Sequence, residues 1–331
     1  MASSSYTYIS LIVLVLVICN YSSTTSASSN PGSETEFEKW LGWNVRNHRS
    51  KRLAADRSLV MSVLDDNLVI AEKNKVMINV SRDGSDANNP PTITGNDTAS
   101  SSSKDGRPLK TFQSATVAVN ANYFVAINIK FENTVPHTIG SKGGQAVAVR
   151  ISGTKAAFYN CSFYGDQDTL YDHRGLHYFN NCFIQGSVDF IFGYGRSLYE
   201  NCYLNSIAKK VASLTAQKRS SASMASGFSF KDSVVTGNGT GLVYLGRAWG
   251  DYSRVVFSYT FMDKVVRPQG WSDWGNPKRD ARVYYGEYKC SGTGANLTGR
   301  VPWARILTDE EAEPFLGTYY VEGDTWLINP W

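Results

Sequence analysis

The sequence predicts an all-β fold, a parallel β-helix (solenoid) in which short strands stack coil upon coil, because its middle third repeats. Three segments share an aromatic residue, Asn-Cys and a further aromatic residue: AAFYNCSFYG from Ala156, HYFNNCFIQG from His177 and SLYENCYLNS from Ser197. Their cysteines, Cys161, Cys182 and Cys202, recur at nearly equal intervals. A repeat of about 20 residues is typical of a solenoid.

Each copy also has the composition of a strand. The copies are rich in Phe, Tyr and Ile, alternate in polarity and end at turn-forming residues. A leucine-rich repeat has a similar period, but it needs a leucine framework that these copies lack. We therefore expect the repeated cysteines to point inward and to stack as small core residues.

The overall composition excludes two classes of function. The 331 residues carry 33 Lys plus Arg against 29 Asp plus Glu, a net charge of only +4, which does not fit a dedicated nucleic-acid binder. There are four histidines and neither an HExxH nor a CxxC pattern, so we expect no metal site of that type.

The N-terminus is predicted to be a signal peptide, residues 1–27. Ile9 to Cys19 is an uncharged apolar run, too short to span a bilayer and suited to the central region of a secretory signal. Cleavage after Ala27 would follow small residues, although no Lys or Arg precedes the run. A buried strand or a membrane anchor is the alternative. Residues 28–74 are predicted to form one or two short amphipathic helices.

Secretion has consequences for cysteine chemistry and glycosylation. Removal of the signal would leave an even number of cysteines, Cys161, Cys182, Cys202 and Cys290, which permits two disulfides in any of three pairings. Sequons stand at Asn79, Asn96, Asn160, Asn238 and Asn296. Asn160 is the least suited to carry a glycan, because it lies inside an apolar run.

The repeat also predicts a pair of carboxylates. Asp168 follows Cys161 at the same interval as Asp189 follows Cys182, so the two occupy equivalent places on successive coils. Stacked strands are about 4.8 Å apart. Two carboxylates that close do not both ionise easily, which supplies an acid beside a nucleophile. Two exposed turn residues are the alternative. Lys209, at the same interval after Cys202, is expected to be a solvated surface residue.

Four motifs in order resemble the plant pectin methylesterases (pectinesterases). They are QAVAVR from Gln145, QDTL from Gln167, DFIFG from Asp189 and LGRAW from Leu245. The resemblance extends from about Trp40 to the C-terminus, and it implies a right-handed parallel β-helix over residues 75–331. It further implies a secreted cell-wall enzyme that removes methyl esters from homogalacturonan and releases pectate and methanol.

The resemblance also implies roles for individual residues. Asp189 would be the nucleophile, and Asp168 would be the proton donor and then the base. Gln145 and Gln167 would stabilise the oxyanion, and Arg247 would orient Asp189. The substrate-binding residues would be Thr111, Gln145, Arg247 and Trp249. No cofactor or metal is implied. The expected partners of this monomer are methylated homogalacturonan and a proteinaceous inhibitor.

The chain departs from the family pattern near its start. Asp83-Gly84-Ser85 is followed at once by Asp86-Ala87-Asn88, where the family continues with a Gly-Asp-Phe stretch and further coils that carry a Gly-x-Tyr-x-Glu motif. We therefore predict that N-terminal coils are partly missing after Ser85, which leaves an unpaired edge or forces residues 75–81 to pair with a more distant coil.

Two alternative functions follow. A catalytically impaired protein would bind pectin without turnover because of the missing coils. A β-helix pectin hydrolase would use Asp166, Asp168 and Asp189, since paired carboxylates also cleave glycosides, but no histidine of this chain has glycine on both sides. A lyase would need an acidic calcium cluster, which the sequence does not show.

Overall fold

Three parallel sheets build the molecule, as the repeat predicted. The computed structural model describes residues 90–136 and 142–327, and the backbone of Val15–Leu16. Each coil of chain contributes one strand to each sheet in turn, so every sheet runs along the stack. The sheets contain nine, seven and seven strands, and all of their pairings are parallel.

The strands of each sheet follow one another in the order in which they stack. Sheet 1 comprises Val15–Leu16, Val125–Ile127, Ala156–Tyr159, Leu176–Asn180, Arg196–Glu200, Gly227–Lys231, Arg254–Ser258, Tyr284–Tyr288 and Arg305–Ile306. Sheet 2 comprises Thr92–Gly95, Lys130–Asn133, Ser162–Tyr164, Phe183–Gly186, Tyr203–Ser206, Val234–Gly237 and Phe261–Met262. Sheet 3 comprises Val117–Val119, Val149–Ile151, Leu170–Asp172, Ile191–Gly193, Ala212–Gln217, Val243–Arg247 and Trp271–Ser272.

The repeated Asn of the sequence makes the bend from sheet 1 to sheet 2. Asn160, Asn181 and Asn201 all have left-handed backbone conformations, with φ of 49°, 56° and 55°. Asparagine tolerates this region better than most residues with a side chain. The Asn160 amide donates to Asn128 at 2.7 Å, and the Asn181 amide donates to Asn160 at 3.4 Å, so the bends form a polar ladder.

The core between the sheets is a stack of aromatic rings. Phe158, Phe179, Tyr199, Phe230 and Phe257 come from five successive coils of sheet 1, and neighbouring centroids are 5.0, 4.4, 4.5 and 4.5 Å apart. All five are fully buried. The stack follows from the repeat, because the same position of each coil recurs above the last.

The predicted inward position of the repeated cysteines is confirmed. Cys161, Cys182 and Cys202 are each about 1% exposed within the apolar core. The two disulfides that the even count permits are not formed, since these three and Cys290 are all free thiols. The three core cysteines occupy one column of the stack, where the thiols of Cys182 and Cys202 hydrogen bond to backbone carbonyls of their own and the preceding coil.

One polar cluster lies inside the coil stack. His177 Nδ1 is 2.6 Å from an Asp172 oxygen and its Nε2 is 2.8 Å from the Gly153 carbonyl, while Tyr199 donates its hydroxyl to the other Asp172 oxygen at 2.7 Å. All three side chains are fully buried. Because a carbonyl only accepts, His177 Nε2 carries a proton and donates it to Gly153, while Nδ1 and the Asp172 oxygen share a hydrogen bond.

The C-terminal segment covers the outer face of sheet 1. Leu307, Ala312, Phe315, Tyr320, Val321 and Trp326 form one apolar cluster with sheet 1 residues such as Ala157, Leu198 and Val256. This segment contains helix Asp309–Ala312, which begins with a capping box between Thr308 and Glu311. Helix Lys110–Gln113 and the 3-10 turns Pro277–Arg279, Thr293–Ala295, Glu313–Phe315, Thr318–Val321 and Gly323–Thr325 complete the elements.

The N-terminal end carries several of the predicted features. The signal at 1–27, the helices at 28–74, the segment 75–89 and the sequon Asn79 lie outside the described residues, apart from strand Val15–Leu16, which pairs with Val125–Ala126. Among the described residues, sheet 2 begins at Thr92–Gly95, whose partner is Lys130–Asn133. No helix of the described part is both long and apolar enough to cross a membrane.

Candidate active site

Two buried carboxylates stand at the start of adjacent strands of sheet 3. Leu170 pairs with Ile191, so Asp168 and Asp189 occupy the same position two residues earlier on successive coils, as predicted. Both have left-handed backbone conformations, with φ of 66° and 50°. They are 9% and 5% exposed. Non-glycine residues held in this conformation are typical of functional sites.

Arg247 contacts one member of the pair. Its Nε donates to Asp189 Oδ1 at 2.8 Å, and a terminal nitrogen donates to Asp189 Oδ2. The guanidinium carbon also lies 3.7 Å from the centre of the Trp274 ring. A two-point contact of this kind fixes the orientation of a carboxylate as well as its charge.

The two carboxylates differ in proton affinity. Burial and the negative charge of Asp189, against the weaker opposing effect of Arg247, place the pKa of Asp168 well above its usual value. Burial also raises the pKa of Asp189, but the charge and hydrogen bonds of Arg247 oppose that rise. The proton shared by such a pair therefore resides on Asp168, while Asp189 is the ionised member.

A row of aromatic side chains extends from the carboxylates along the outer face of sheet 3. Tyr171 and Phe192 stack at 4.3 Å, and Trp249 lies 6.1 Å from Phe192. Phe112, 43% exposed, meets Tyr171 edge-on at 6.3 Å. We refer to these four residues as the aromatic surface. Flat apolar rings beside buried polar groups are suited to a sugar chain.

The remaining predicted residues lie around this surface. Gln145 and Gln167 are half-buried on successive coils, where the Ala146 amide donates to the Gln167 carbonyl at 3.1 Å. Thr111 is half-buried in helix Lys110–Gln113, next to Phe112. Trp249 is half-buried at the far end of the aromatic surface. Among the seven predicted residues, the direct side-chain contact is that of Arg247 with Asp189, and Trp249 is joined to the site through Phe192.

Comparison with known proteins identifies the family. The pectinesterase family model matches residues 47–324. The chain belongs to the pectinesterase family. Pectinesterase QRT1 of Arabidopsis thaliana is 48% identical over 71% of this chain, although the match spans only 61% of that protein's length.

Solved pectinesterases share the fold. The pectin methylesterase from carrot is 32% identical and superimposes with a TM-score of 0.66, covering 77% of this chain and 79% of its own. A pectin methylesterase in complex with a hexasaccharide is 27% identical with a TM-score of 0.63, covering 77% of this chain and 84% of its own. The right-handed parallel β-helix implied by the motifs is thereby confirmed.

Some residues of this pectinesterase site were not predicted as functional. Tyr194 and Lys218 contact Trp249, and Trp274 contacts Arg247, while Phe112 meets Tyr171 and His173. Tyr194 could have been found from the sequence, since it directly follows the DFIFG motif that begins at Asp189. Lys209 does not continue the carboxylate column, because Thr215 pairs with Ile191 and so Ser213 takes that position.

Two observations concern the alternative functions, the lyase with its calcium cluster and the hydrolase with Asp166. In the described residues no group of three His, Cys, Asp or Glu side chains is placed to hold a metal ion. Asp166 accepts a hydrogen bond from Ser187 in the loop before sheet 3. This loop lines a cavity of about 320 Å³ together with Gln167, Lys209 and Lys210.

Proposed function

We propose that this chain is a pectin methylesterase that hydrolyses methyl esters of homogalacturonan. The observation that carries the proposal is the asymmetric pair, in which Arg247 holds Asp189 by two hydrogen bonds while Asp168 binds its proton more tightly. Family membership and the aromatic surface beside the pair support the same substrate class.

The first half of the reaction uses Asp189 as nucleophile. Its carboxylate attacks the ester carbonyl, and the carbonyl oxygen becomes an oxyanion that accepts hydrogen bonds from Gln145 and Gln167. As the tetrahedral intermediate collapses, Asp168 gives its proton to the departing methoxide and methanol leaves. The galacturonyl group remains on Asp189 as an anhydride.

The second half returns the enzyme to its starting state. Asp168, now ionised, removes a proton from water, and the resulting hydroxide attacks the galacturonyl carbonyl of the anhydride. The bond to Asp189 breaks, which restores the Asp189 carboxylate and leaves a carboxylic acid on the galacturonate unit of the chain, and that acid loses its proton to solvent. Asp168 has regained the proton it gave to methanol, so the cycle consumes one water and leaves no group to be replenished.

Location and processing belong to the same proposal. The apolar run at Ile9–Cys19 supports secretion with removal of residues 1–27, and the sequons Asn96, Asn238 and Asn296, which are exposed, suit a glycoprotein. A pI near 8.6 favours retention in an acidic polysaccharide wall. A proteinaceous inhibitor and a monomeric state remain part of the proposal.

The test is methanol release from highly methylated pectin by the secreted 28–331 form. We expect methanol from the wild type and, at most, a trace from Asp189→Ala, with the same circular dichroism spectrum for both. New chain ends without methanol would favour a hydrolase or lyase, and pectin binding by a folded protein without either product would favour the impaired binder. Undiminished turnover in Asp189→Ala would overturn the nucleophile assignment.

A further inference from the structure

Lys218 lies on the side of sheet 3 that carries the aromatic surface, one coil beyond the strand that follows Asp189. Gln217 ends its strand opposite Gly193, and the next amide, that of Lys218, donates to the Gly193 carbonyl at 2.7 Å. The register Thr215–Gly246 continues on the other side. Lys218 is therefore flanked by Tyr194 on one coil and Trp249 on the next.

The ammonium group of Lys218 rests on these two rings. Its Nζ lies 4.4 Å from the Trp249 centroid and 5.4 Å from the Tyr194 centroid. Within the described part of the chain no carboxylate forms an ion pair with it, whereas Lys130, Lys231 and Lys289 each have an acidic partner within about 3 Å. A half-buried cation on aromatic rings retains donors for an anion from outside.

The position of Lys218 separates it from the reacting ester. Ser213 lies opposite Asp189. Lys218 follows Ser213 by five positions, just beyond the continuous strand Ala212–Gln217, which places this row roughly 16 Å along the strand direction from the nucleophile's backbone. A group bound there belongs to a different sugar unit from the one undergoing hydrolysis. The rings offer that unit a flat face, and the ammonium offers its acidic group a charge-assisted hydrogen bond.

We propose that Lys218, with Tyr194 and Trp249, forms a subsite that binds the free carboxylate of a demethylated uronate unit. The proposal rests on the proposed function for the identity of the polymer. A methyl ester at this unit carries no charge, so the subsite favours chains that already hold free acid at some distance from the ester to be cleaved. Lys218 is thus a specificity-determining residue for the pattern of methylation.

The experiment measures binding of unesterified hexagalacturonate, which needs no turnover. We expect Lys218→Met and Lys218→Gln each to weaken binding by about five- to tenfold, since one charge-assisted contact is lost. Lys218→Arg should retain most of the affinity. Raising the salt concentration should weaken binding by the wild type more steeply than binding by the two neutral variants. Salt screens the charge of the Lys218 ammonium, which the variants lack.

The matched control is Lys130→Met. Lys130 also lies over a tyrosine, Tyr164, at 4.3 Å, but on sheet 2. Its loss should leave hexagalacturonate affinity and salt dependence at wild-type values. Equal affinity in wild type and both neutral Lys218 variants, or an equal loss in Lys130→Met, would overturn the proposal. If the protein binds hexagalacturonate through Lys218 but releases no methanol from pectin, that result would support the subsite and contradict the proposed esterase activity.

Discussion

Arg247 breaks the symmetry of the carboxylate pair. Asp168 and Asp189 have the same place in the coil, nearly the same backbone conformation and similar burial, yet only Asp189 receives the guanidinium. Burial raises the pKa of both, and Arg247 opposes the rise more directly at Asp189. The proposed division into acid and nucleophile therefore depends on a third residue.

Arg247→Gln should shift the pH profile of methanol release upward. Removal of the positive charge raises the pKa of Asp189, so a higher pH is needed to ionise the nucleophile and the acid limb moves up. The pKa of Asp168 also rises, since Arg247 lowers it in the wild type, and the alkaline limb moves the same way. We expect the maximal rate to fall about 100-fold because Asp189 is no longer held in position.

Arg247→Lys provides the control for this prediction. It keeps a positive charge but loses the two-point contact, so the pH limbs should stay closer to those of the wild type while the rate falls. Unchanged limbs in Arg247→Gln, measured as kcat/KM across the pH range, would contradict the proposed role of Arg247.

The sequence could predict the pairing of the two carboxylates but not the position of Arg247 beside them. Asp168 and Asp189 could be paired because the step from Leu170 to Ile191 equals the step from Cys161 to Cys182. The next two steps along sheet 3, from Ile191 to Thr215 and on to Gly246, are longer and unequal. Periodicity therefore could not place Arg247 against Asp189, and only the family motif indicated it.

At the scale of single elements, one strand joins the carboxylate pair to the interior. Strand Leu170–Asp172 follows Asp168, presents Tyr171 to the aromatic surface and ends at Asp172 inside the coil, where His177 and Tyr199 contact it. A buried polar cluster of this kind contributes modestly when intact, but the loss of one partner leaves a buried polar group without its hydrogen bond.

His177→Phe should destabilise the protein strongly. The variant removes the two buried hydrogen bonds that His177 makes to Asp172 and to the Gly153 carbonyl, which is expected to cost about 2–6 kcal/mol. Tyr199→Phe removes one hydrogen bond and should cost only about 1–3 kcal/mol. Denaturant unfolding of both variants measures the difference. A His177→Phe midpoint within error of the wild type would show that the pair is not needed.

The sequence predicted the features that recur at a fixed interval better than those that do not recur. The Asn-Cys repeat predicted the inward column of cysteines, because one residue type recurs at a fixed interval, whereas the bend at the repeated Asn was not predicted. The aromatic surface was only partly visible, since Phe and Tyr alternate with equally apolar neighbours such as Leu170 and Ile191, so both faces of these strands look alike in sequence. The C-terminal cover over sheet 1 has no periodic signal at all.

At the scale of the whole molecule, the coils are held together by stacking rather than by disulfides. The described part of the chain contains four reduced thiols. Burial raises the pKa of Cys161 and of Cys290 to about 12, and it raises that of Cys182 as well, so none of these three is a ready nucleophile. An oxidising compartment permits disulfides but does not create them where the fold places cysteines in a packed column.

Thiol titration of the secreted protein tests this arrangement. Without reductant, we expect slow or no reaction in the native state, with Cys290 reacting first because it alone is only half-buried. In denaturant all four should react, and prior reduction should not raise the number. Thiols that appear only after reduction would show that disulfides had formed, contrary to the structure.

The equal coils around the carboxylate pair show how repetition alone can bring two like side chains together. The segments from Cys161 to Asp168 and from Cys182 to Asp189 have the same length and stack in register, so copying one such coil would place two carboxylates in apposition. A guanidinium from a later coil then makes the two copies different. In a solenoid, an acid–nucleophile pair can thus arise by repetition before it is refined by substitution.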